Sequence, residues 1–204
     1  MTTAGEELDL VALICSRLCH DLAGSIGAVN NGVELLAEET DPAMRDEAIG
    51  LIAQSAGDAA RRLAFFRYAL GASGSMAEPM ALDELSQVAR TYFAGGKIQL
   101  VLPGSAGTLN KALGKALLLG LLLAAQALPR GGSLALTTAG NGWRIIAEGS
   151  MLRWPEAVAA ALGDGDWPRE PQAALARYAQ RLATASGHAI SARPEETRLV
   201  LDFG

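Results

Sequence analysis

His20 is the residue whose type and position best fit chemistry on a helix surface. The sequence has two histidines, so each can be weighed by itself. Residues 8–38 contain no proline, and their apolar side chains recur at steps of three and four, which predicts a long helix. On a helical wheel His20 lies roughly 160° from the centre of this apolar stripe, so we predict that its imidazole faces solvent. The stripe comprises Val11, Cys15, Leu18, Leu22, Ile26, Val29, Val33 and Leu36.

The flank of the helix that carries His20 is a candidate docking surface for another molecule. Each glycine in the middle of a helix costs about 1 kcal/mol relative to alanine, so a pair beside His20 indicates a shallow surface that another backbone can approach. An arginine one turn before His20 could pair with a phosphate, although a solvated surface charge explains it equally well. An exposed helical histidine often has no function, so spacing alone leaves both explanations open. The candidate partner-binding residues are Arg17, Gly24, Gly27, Asn31 and Glu34.

Metal and haem chemistry fit this segment less well. Three residues separate Cys15 from Cys19, whereas a haem attachment motif needs two. Both cysteines fall on or near the apolar stripe while His20 points away, so we predict buried structural thiols rather than one metal site. The His20-Asp21 pair is also typical of metal-dependent hydrolases, but these need several further histidines. His188, the other histidine, follows a predicted helix end and fits a capping role.

Composition excludes several classes of function. The chain has 204 residues, half of them apolar, which is enough to bury one good core or two modest ones. A net charge of -5 and a pI near 5.1 argue against electrostatic binding of nucleic acid. Residues 1–9 lack a basic region followed by an apolar run, and the apolar stretch 113–128 is short and interrupted. We therefore expect a cytoplasmic protein without a secretory signal or a membrane span.

A second helix is predicted to pair with the first. Asp41 and Pro42 follow a polar run, where an aspartate N-cap and a proline at the first helical position are both favourable. Apolar residues then repeat at helical spacing up to about Gly71, and two long helices joined by a short turn lie antiparallel. One hairpin buries too little surface, so we predict that a second copy completes a four-helix bundle with two-fold symmetry.

Beyond a linker over residues 71–79, the order of elements predicts an α+β fold. An antiparallel sheet covered by helices on one face fits the alternation of strand and helix patterns. The dipeptide Asn141-Gly142 predicts the turn of a β-hairpin. The predicted helices are 82–93, 109–128, 153–162 and 171–186, and the predicted strands are 97–102, 133–139, 143–148, 188–193 and 198–203.

The segment 16–36 resembles the H-box of histidine kinases, in which an acidic residue follows a phosphorylatable histidine. Its sequence is S-R-L-C-H-D-L-A-G-S-I-G-A-V-N-N-G-V-E-L-L. The runs C-H-D-L, A-V-N-N-G and E-L-L are similar to those of the alphaproteobacterial histidine phosphotransferases related to ChpT. The resemblance is strongest over residues 13–36 and covers nearly the whole chain. It implies a dimerisation and phosphotransfer hairpin over residues 1–72, followed by a degenerate histidine-kinase-ATPase-like α/β sandwich over residues 80–204.

Departures from the kinase pattern imply that ATP is not bound. Ala124 and Gly120 stand where the resemblance places asparagines, one of which helps to hold Mg-ATP in active kinases. The aspartate of the stretch that contacts adenine is missing from residues 147–150, and a second glycine-rich box is reduced to residues 163–165. We therefore expect no cofactor and no metal on this chain, with Mg²⁺ held in the acidic pocket of a partner receiver domain.

The resemblance implies that His20 accepts a phosphoryl group from one receiver-domain aspartate and passes it to another, with Asp21 orienting the ring or assisting proton transfer. The implied partners are a second copy of the chain and response-regulator receivers: a hybrid-kinase receiver like that of CckA, and downstream regulators like CtrA and CpdR. Two alternatives stay open, namely an active ATP-dependent histidine kinase and a non-catalytic dimeric scaffold.

Overall fold

A long helical hairpin precedes a sheet covered by helices, which confirms the predicted α+β class. The computed structural model describes residues 4–71, 75–76, 78–104, 106–163 and 165–204, so residues 72–74 and 77 of the predicted linker lie outside the described ranges. The helices are α1 (Ala4–Glu38), α2 (Pro42–Leu70), α3 (Leu82–Phe93), α4 (Lys111–Gln126), α5 (Glu156–Ala161) and α6 (Pro171–Ala185). The strands are β1 (Pro79–Ala81), β2 (Ile98–Val101), β3 (Thr108–Asn110), β4 (Gly132–Ala139), β5 (Gly142–Glu148), β6 (Ile190–Pro194) and β7 (Arg198–Phe203).

A short, capped turn joins α1 to α2, as the sequence predicts. Asp41 has extended backbone angles, φ −72° and ψ 123°. Its Oδ1 accepts hydrogen bonds from the backbone amides of Ala43 at 2.8 Å and Met44 at 3.3 Å. These amides begin α2 and have no acceptor within the helix, so Asp41 serves as the N-cap and Pro42 as the first helical residue. The turn is tight enough to make the two helices antiparallel neighbours.

The sheet is mixed rather than wholly antiparallel, which corrects the prediction. Its strand order is β2-β4-β5-β7-β6, and the pairs β4–β5, β5–β7 and β6–β7 are antiparallel. β2 and β4 are parallel, with Ile98 opposite Gly132, because α4 crosses over between them and returns the chain to the same end of the sheet. β1 and β3 form a separate antiparallel pair of three residues each, too short to show as a pattern in the sequence.

The β4–β5 hairpin turns at Gly140-Asn141, one residue before the predicted Asn141-Gly142. Ala139 pairs with Gly142 across the strands, which leaves two residues in the loop. Gly140 has φ +58°, whereas no described non-glycine residue has a positive φ. A two-residue turn with a positive φ at its first central position favours glycine there. The glycine before the asparagine therefore sets the turn, rather than the glycine after it.

α4 lies at the centre of the core. Every residue from Ala112 to Ala124 is buried, which explains the long apolar run in the sequence. One side of α4 lies on the sheet, because a Cβ built on Gly120 would come within 2.6 Å of Phe203 Cζ and 2.9 Å of Ile145 Cδ1. Glycine at this position allows the helix to approach the strands closely, and α6 packs beside α4 in the same layer.

Lys115 places a charged group inside this core. Its side chain is 1 % exposed, and its Nζ donates a hydrogen bond to the carbonyl of Gly71, which caps the end of α2. Burial lowers the pKa of Lys115, and the nearby charge of Lys111 acts in the same direction. Cations are favoured near the carbonyl end of a helix, so the contact ties α2 to α4. Sequence reasoning treated Lys115 only as an interruption of an apolar stretch.

α1 exposes much of its predicted apolar stripe in the single chain. Its two fully buried residues are Leu10 and Gly32, and of the stripe Leu18 packs against the core. Cys15 and Cys19 are exposed, so the prediction of buried cysteines is wrong for one copy of the chain. The exposed large apolar residues of α1 are Leu8, Val11, Ile26, Val33 and Leu35.

By length and composition alone, α1 could also cross a membrane. Among the helices of the described ranges, α1 alone contains an 18-residue stretch apolar enough to cross a bilayer. The mean hydropathy of this stretch is 1.3, and 6 % of it is buried. The middle of α1 carries the ion pair of Arg17 with Asp21 and the adjacent His20. Ionisable groups are costly in hydrocarbon, so these residues argue for contact with protein and water instead.

Candidate functional site

The His20 side chain extends from the middle of α1 and lies against an ion pair of two neighbouring residues, Arg17 and Asp21. Its side chain is 83 % exposed, which confirms that the imidazole faces solvent. The Nδ1 of the ring lies 3.3 Å from Oδ1 of Asp21. The other carboxylate oxygen of Asp21 accepts a hydrogen bond from Arg17 Nε at 3.0 Å, an i to i+4 pair on the helix. The Asp21 side chain is only 8 % exposed, so a largely buried ion pair supports an exposed ring.

The contact with Asp21 assigns the proton on the imidazole. A carboxylate only accepts hydrogen bonds, so in the neutral ring Nδ1 carries the proton and donates it to Asp21. The lone pair then lies on Nε2, the ring nitrogen farther from the backbone. An exposed nitrogen with a free lone pair can act as a nucleophile, and the carboxylate can stabilise the positive charge that forms on the ring.

An open groove of about 300 Å³ separates His20 from the start of α6. Ser16, Arg17 and His20 form one wall, which belongs to α1. The opposite wall consists of residues 170–172, where α6 begins at Pro171. Sequence reasoning missed this wall because it lies about 150 residues from His20 in the chain. Its only signal in the sequence is the helix start marked by Pro171.

Arg17 also lines a second groove, of about 190 Å³, at the end of α4. The other lining residues include Gln126 from α4, Trp154 from the segment before α5, and Gln172 from α6. Gln172 is common to both grooves, so the two are neighbours along one surface. The indole Nε1 of Trp154 is buried and has no hydrogen-bond partner within the described ranges.

The flank beyond His20 is open, as the glycine pair predicts. A Cβ built on Gly24 or on Gly27 would meet no heavy atom within 4 Å outside the helix backbone. Asn31 and Glu34, farther along α1, are both exposed. The predicted docking residues thus lie on or beside the exposed surface of α1. They are the arginine, the two glycines and the polar pair.

Tyr92 and Arg62 lie close to this site and were not found from the sequence. Burial raises the pKa of the Tyr92 hydroxyl, and the charge of Asp21 adds to that effect, while Arg62 and Arg17 oppose it. All three charges therefore lie near one tyrosine at the end of α3. Arg62 brings α2 into the surroundings of Asp21, which the helical wheel of α1 alone could not reveal.

The second histidine, His188, makes its hydrogen bonds to nearby residues in the part of the chain that the structure describes. The Nδ1 of His188 lies 3.0 Å from the carbonyl oxygen and 3.3 Å from the hydroxyl of Ser186, just past the end of α6. Gly187 between them has φ +81°, which is the left-handed conformation typical of a helix end. Among the described residues no group of three or more histidine, cysteine, aspartate or glutamate side chains is arranged to hold a metal ion.

Comparison with known proteins gives consistent matches. A family model described as the histidine phosphotransferase C-terminal domain matches residues 82–198. The protein phosphotransferase ChpT of Brucella abortus (strain 2308) is 40 % identical over 168 residues, which cover 80 % of this chain and 78 % of that protein. A bacterial phosphotransferase solved at 1.7 Å is 34 % identical, with a TM-score of 0.84 over 100 % of this chain and 98 % of that one.

A more distant structure shares the fold alone. The histidine kinase ThkA, solved in complex with the response regulator protein TrrA, is 13 % identical to this chain. The TM-score is 0.54 over 97 % of this chain and 62 % of that one. The helical hairpin followed by a helix-covered sheet is thus an arrangement that occurs in a histidine kinase.

Proposed function

We propose, because the chain belongs to the histidine phosphotransferase family, that it relays phosphoryl groups between receiver-domain aspartates by way of His20. The observation that carries the proposal is an exposed imidazole, held through Nδ1 by Asp21, on the wall of an open groove. A hybrid-kinase receiver like that of CckA is the proposed donor, and regulators like CtrA and CpdR are the proposed acceptors. All of these partners are cytoplasmic receivers, so we propose the same location for this chain.

The proposed transfer balances with the groups at hand. Nε2 of His20 attacks the phosphorus of an aspartyl phosphate, so a P–N bond forms while the P–O bond to the aspartyl carboxylate breaks. The carboxylate leaves with the electron pair, and transfer to a second receiver reverses these steps. The Nδ1 proton stays on the ring, where Asp21 faces the positive charge that develops. Phosphoryl transfer depends mainly on positioning and charge stabilisation, and the receiver supplies Mg²⁺ from its own acidic pocket.

Arg17 and Asp21 are the proposed supporting residues. Arg17 holds Asp21 through a 3.0 Å contact, and it also lines the groove, where a guanidinium can pair with a phosphate. The open flank beyond His20 is the proposed landing surface for the receiver, whose backbone can approach closely where α1 has no side chains. The proposed docking residues on this flank are Gly24, Gly27, Asn31 and Glu34.

The proposed relay works without ATP because the residues of this chain do not fit a nucleotide. Ala124, at the position expected to carry an asparagine, is fully buried and offers no ligand. Glu148, in the stretch that would contact adenine, pairs with Arg198 at 3.1 Å. Of the reduced glycine-rich box, Asp164 lies outside the described residues.

A second copy of the chain is the proposed cover for the apolar face of the hairpin. Leu18 and Leu22 of α1 and Leu63 and Phe66 of α2 line an apolar groove of about 350 Å³. Apolar surface of this kind gains about 25 cal/mol for each Å² removed from water, which favours a four-helix bundle of two hairpins. In this division residues 1–72 form the dimerisation hairpin and residues 80–204 the ATPase-like part. Light scattering at micromolar concentration should give the mass of a dimer, and a monomer mass would reject this assembly.

Transfer from a phosphorylated receiver tests the proposed function. A receiver domain carrying radiolabelled phosphate should label the wild-type chain and the control variant His188→Ala, but not His20→Ala. Labelling of none of the three would favour the scaffold alternative. Incubation with radiolabelled ATP should leave the isolated chain unlabelled, and autophosphorylation would support the kinase alternative instead.

A further inference from the structure

Glu6, near the start of α1, joins three side chains that come from the other end of the sequence. Its Oε1 accepts hydrogen bonds from Arg181 Nη2 at 2.8 Å, from Arg177 Nη2 at 3.3 Å and from Trp167 Nε1 at 3.3 Å. The Glu6 side chain is 15 % exposed, and those of Arg177 and Arg181 are 12 % and 25 % exposed. A largely buried carboxylate thus connects the first helix to α6 and to the segment before it.

The same segment has further ties on both sides of Trp167. Arg177, besides its contact with Glu6, donates to the Gly163 carbonyl at 2.8 Å. Arg169 donates to the Trp167 carbonyl at 3.0 Å, and its guanidinium lies 4.5 Å from the centre of the Trp167 ring. Asp9, one turn after Glu6 on α1, lies 4.0 Å from Arg169. Trp167 and Arg169 are therefore tied to the first turns of α1, just before the chain reaches the groove.

The residues that come next in the chain form the groove wall opposite His20. This wall, residues 170–172, follows Arg169 directly and opens α6. Glu6 is 14 residues from His20, or about 21 Å along a helix that rises 1.5 Å per residue. Glu6 therefore lies too far away to touch a phosphoryl group on His20, yet it fixes the chain from which the facing wall emerges.

Glu6 is the negative charge that both arginines of this cluster share, so removing its charge should destabilise the cluster. Burial acts to raise the pKa of Glu6, but hydrogen bonds from Trp167 and Arg177, together with Arg181, outweigh it and keep the carboxylate charged. Two guanidinium groups share this carboxylate, and among the described residues the buried Nε atoms of both have no hydrogen-bond partner. Without the charge of Glu6, two neighbouring cations would repel each other and loosen the contact of α1 with α6 and with Trp167.

We infer that Glu6 is a positioning residue for the relay: acting through Trp167, Arg177 and Arg181, it holds the wall at residues 170–172 at a fixed distance from His20. The inference rests on the proposed function, because it assigns the groove to the incoming receiver. A receiver that meets a preformed groove does not have to order that wall on binding, which lowers the cost of association. A small phosphoryl donor needs no such wall.

The variant Glu6→Gln keeps the shape of the side chain and removes its charge. With a phosphorylated receiver that labels the wild-type chain, we expect Glu6→Gln to raise the KM for receiver about tenfold and to change kcat less than about twofold. Phosphoramidate, which transfers its phosphoryl group to imidazole and releases ammonia, should label Glu6→Gln and wild type equally. Amide hydrogen exchange should accelerate over residues 165–172. The conservative variant Glu6→Asp should recover part of the KM, and Glu38→Gln, an exposed carboxylate on the same helix, should match wild type.

The outcomes separate this inference from the proposed function. An unchanged KM for Glu6→Gln, or unchanged exchange over residues 165–172, would overturn the positioning role. Equal losses with receiver and with phosphoramidate would also overturn it, because they would indicate general damage to α1. If phosphoramidate labels His20 but no receiver labels the wild-type chain, the relay itself fails.

Discussion

Replacing Gly24 and Gly27 by alanine separates the stability of α1 from its use as a docking surface. Both glycines lie inside a 35-residue helix on the flank that carries His20. A Cβ at either position meets no heavy atom within 4 Å outside the helix backbone. The substitutions therefore add two methyl groups to an open surface without disturbing packing among the described residues.

The stability of the double variant should rise while its transfer activity falls. Alanine is favoured over glycine in a helix interior by about 1 kcal/mol, so the pair should gain about 2 kcal/mol. For a protein of this length, each kcal/mol corresponds to about 2–4 °C in Tm, which gives a rise of about 4–8 °C. The two methyl groups would hold a docking backbone about 1 Å farther away, and a misplacement of that size can slow transfer by up to about 10²-fold.

Gly50→Ala is the matched control for this experiment. A Cβ at Gly50 also meets nothing within 4 Å, and Gly50 lies on α2 within a stretch that packs against Gly32. Gly32 lies 12 residues after His20 on α1, which corresponds to about 18 Å along a helix that rises 1.5 Å per residue. Gly50 is therefore far from the site of transfer. Gly50→Ala should therefore show about half of the stability gain that the double variant shows, because one glycine is replaced and not two. Its transfer rate should equal that of the wild type.

Thermal unfolding and transfer from a phosphorylated receiver are the two assays, run on the same preparations. A double variant that gains stability and transfers at the wild-type rate would refute the docking role of the glycines. A double variant that loses stability would refute the premise that nothing packs against them, and would place another surface, such as that of a second copy, on this flank.

Three further predictions follow from the contacts around the core and the site. Asp21→Ala should slow receiver-dependent transfer about 10–100-fold by freeing the His20 ring, and a wild-type rate in the same transfer assay would count against Asp21 as a supporting residue. Gly120→Ala should lower the free energy of unfolding in urea by about 1–3 kcal/mol, because its Cβ would overlap Phe203; an unchanged midpoint would contradict that packing. Although burial opposes it, hydrogen bonding holds the pKa of Glu6 below its ordinary 4.5, so its stabilising contribution is present above pH 4.5 and is lost as the pH falls through the lower folded-state value. Acid titration should accordingly lower the protection of amides over residues 165–172, relative to their intrinsic exchange rates, in the wild type more than in Glu6→Gln.

Features that depend on local chemistry were predictable from the sequence. Asp41 followed by Pro42 marks the start of α2, because both residues suit the unpaired amides of a helix N-terminus. The bounds predicted for α3, 82–93, agree with the structure. The solvent-facing position of His20 follows from the helical period alone, and the exposure of its side chain confirms it.

Features that depend on tertiary packing were not predictable in the same way. Adjacent residues on a helix do not face each other, yet a side-chain rotamer held by Arg17 brings Asp21 to His20. The wall at residues 170–172 and the Glu6 cluster join parts of the chain more than 150 residues apart, which no periodicity reveals. The parallel pairing of β2 with β4 follows from the crossover of α4 between them. The residue pattern of a strand does not reveal in which direction it pairs with its neighbour.

The position of the phosphoryl group after transfer decides whether His20 is the phosphoacceptor. The wild-type chain would be labelled by a phosphorylated receiver, digested at neutral to alkaline pH to preserve P–N bonds, and its peptides sequenced by mass spectrometry. We expect one phosphoryl group, on the imidazole of His20. A phosphoryl group on a neighbouring hydroxyl such as Ser16 or Ser25, or full labelling of His20→Ala, would contradict it.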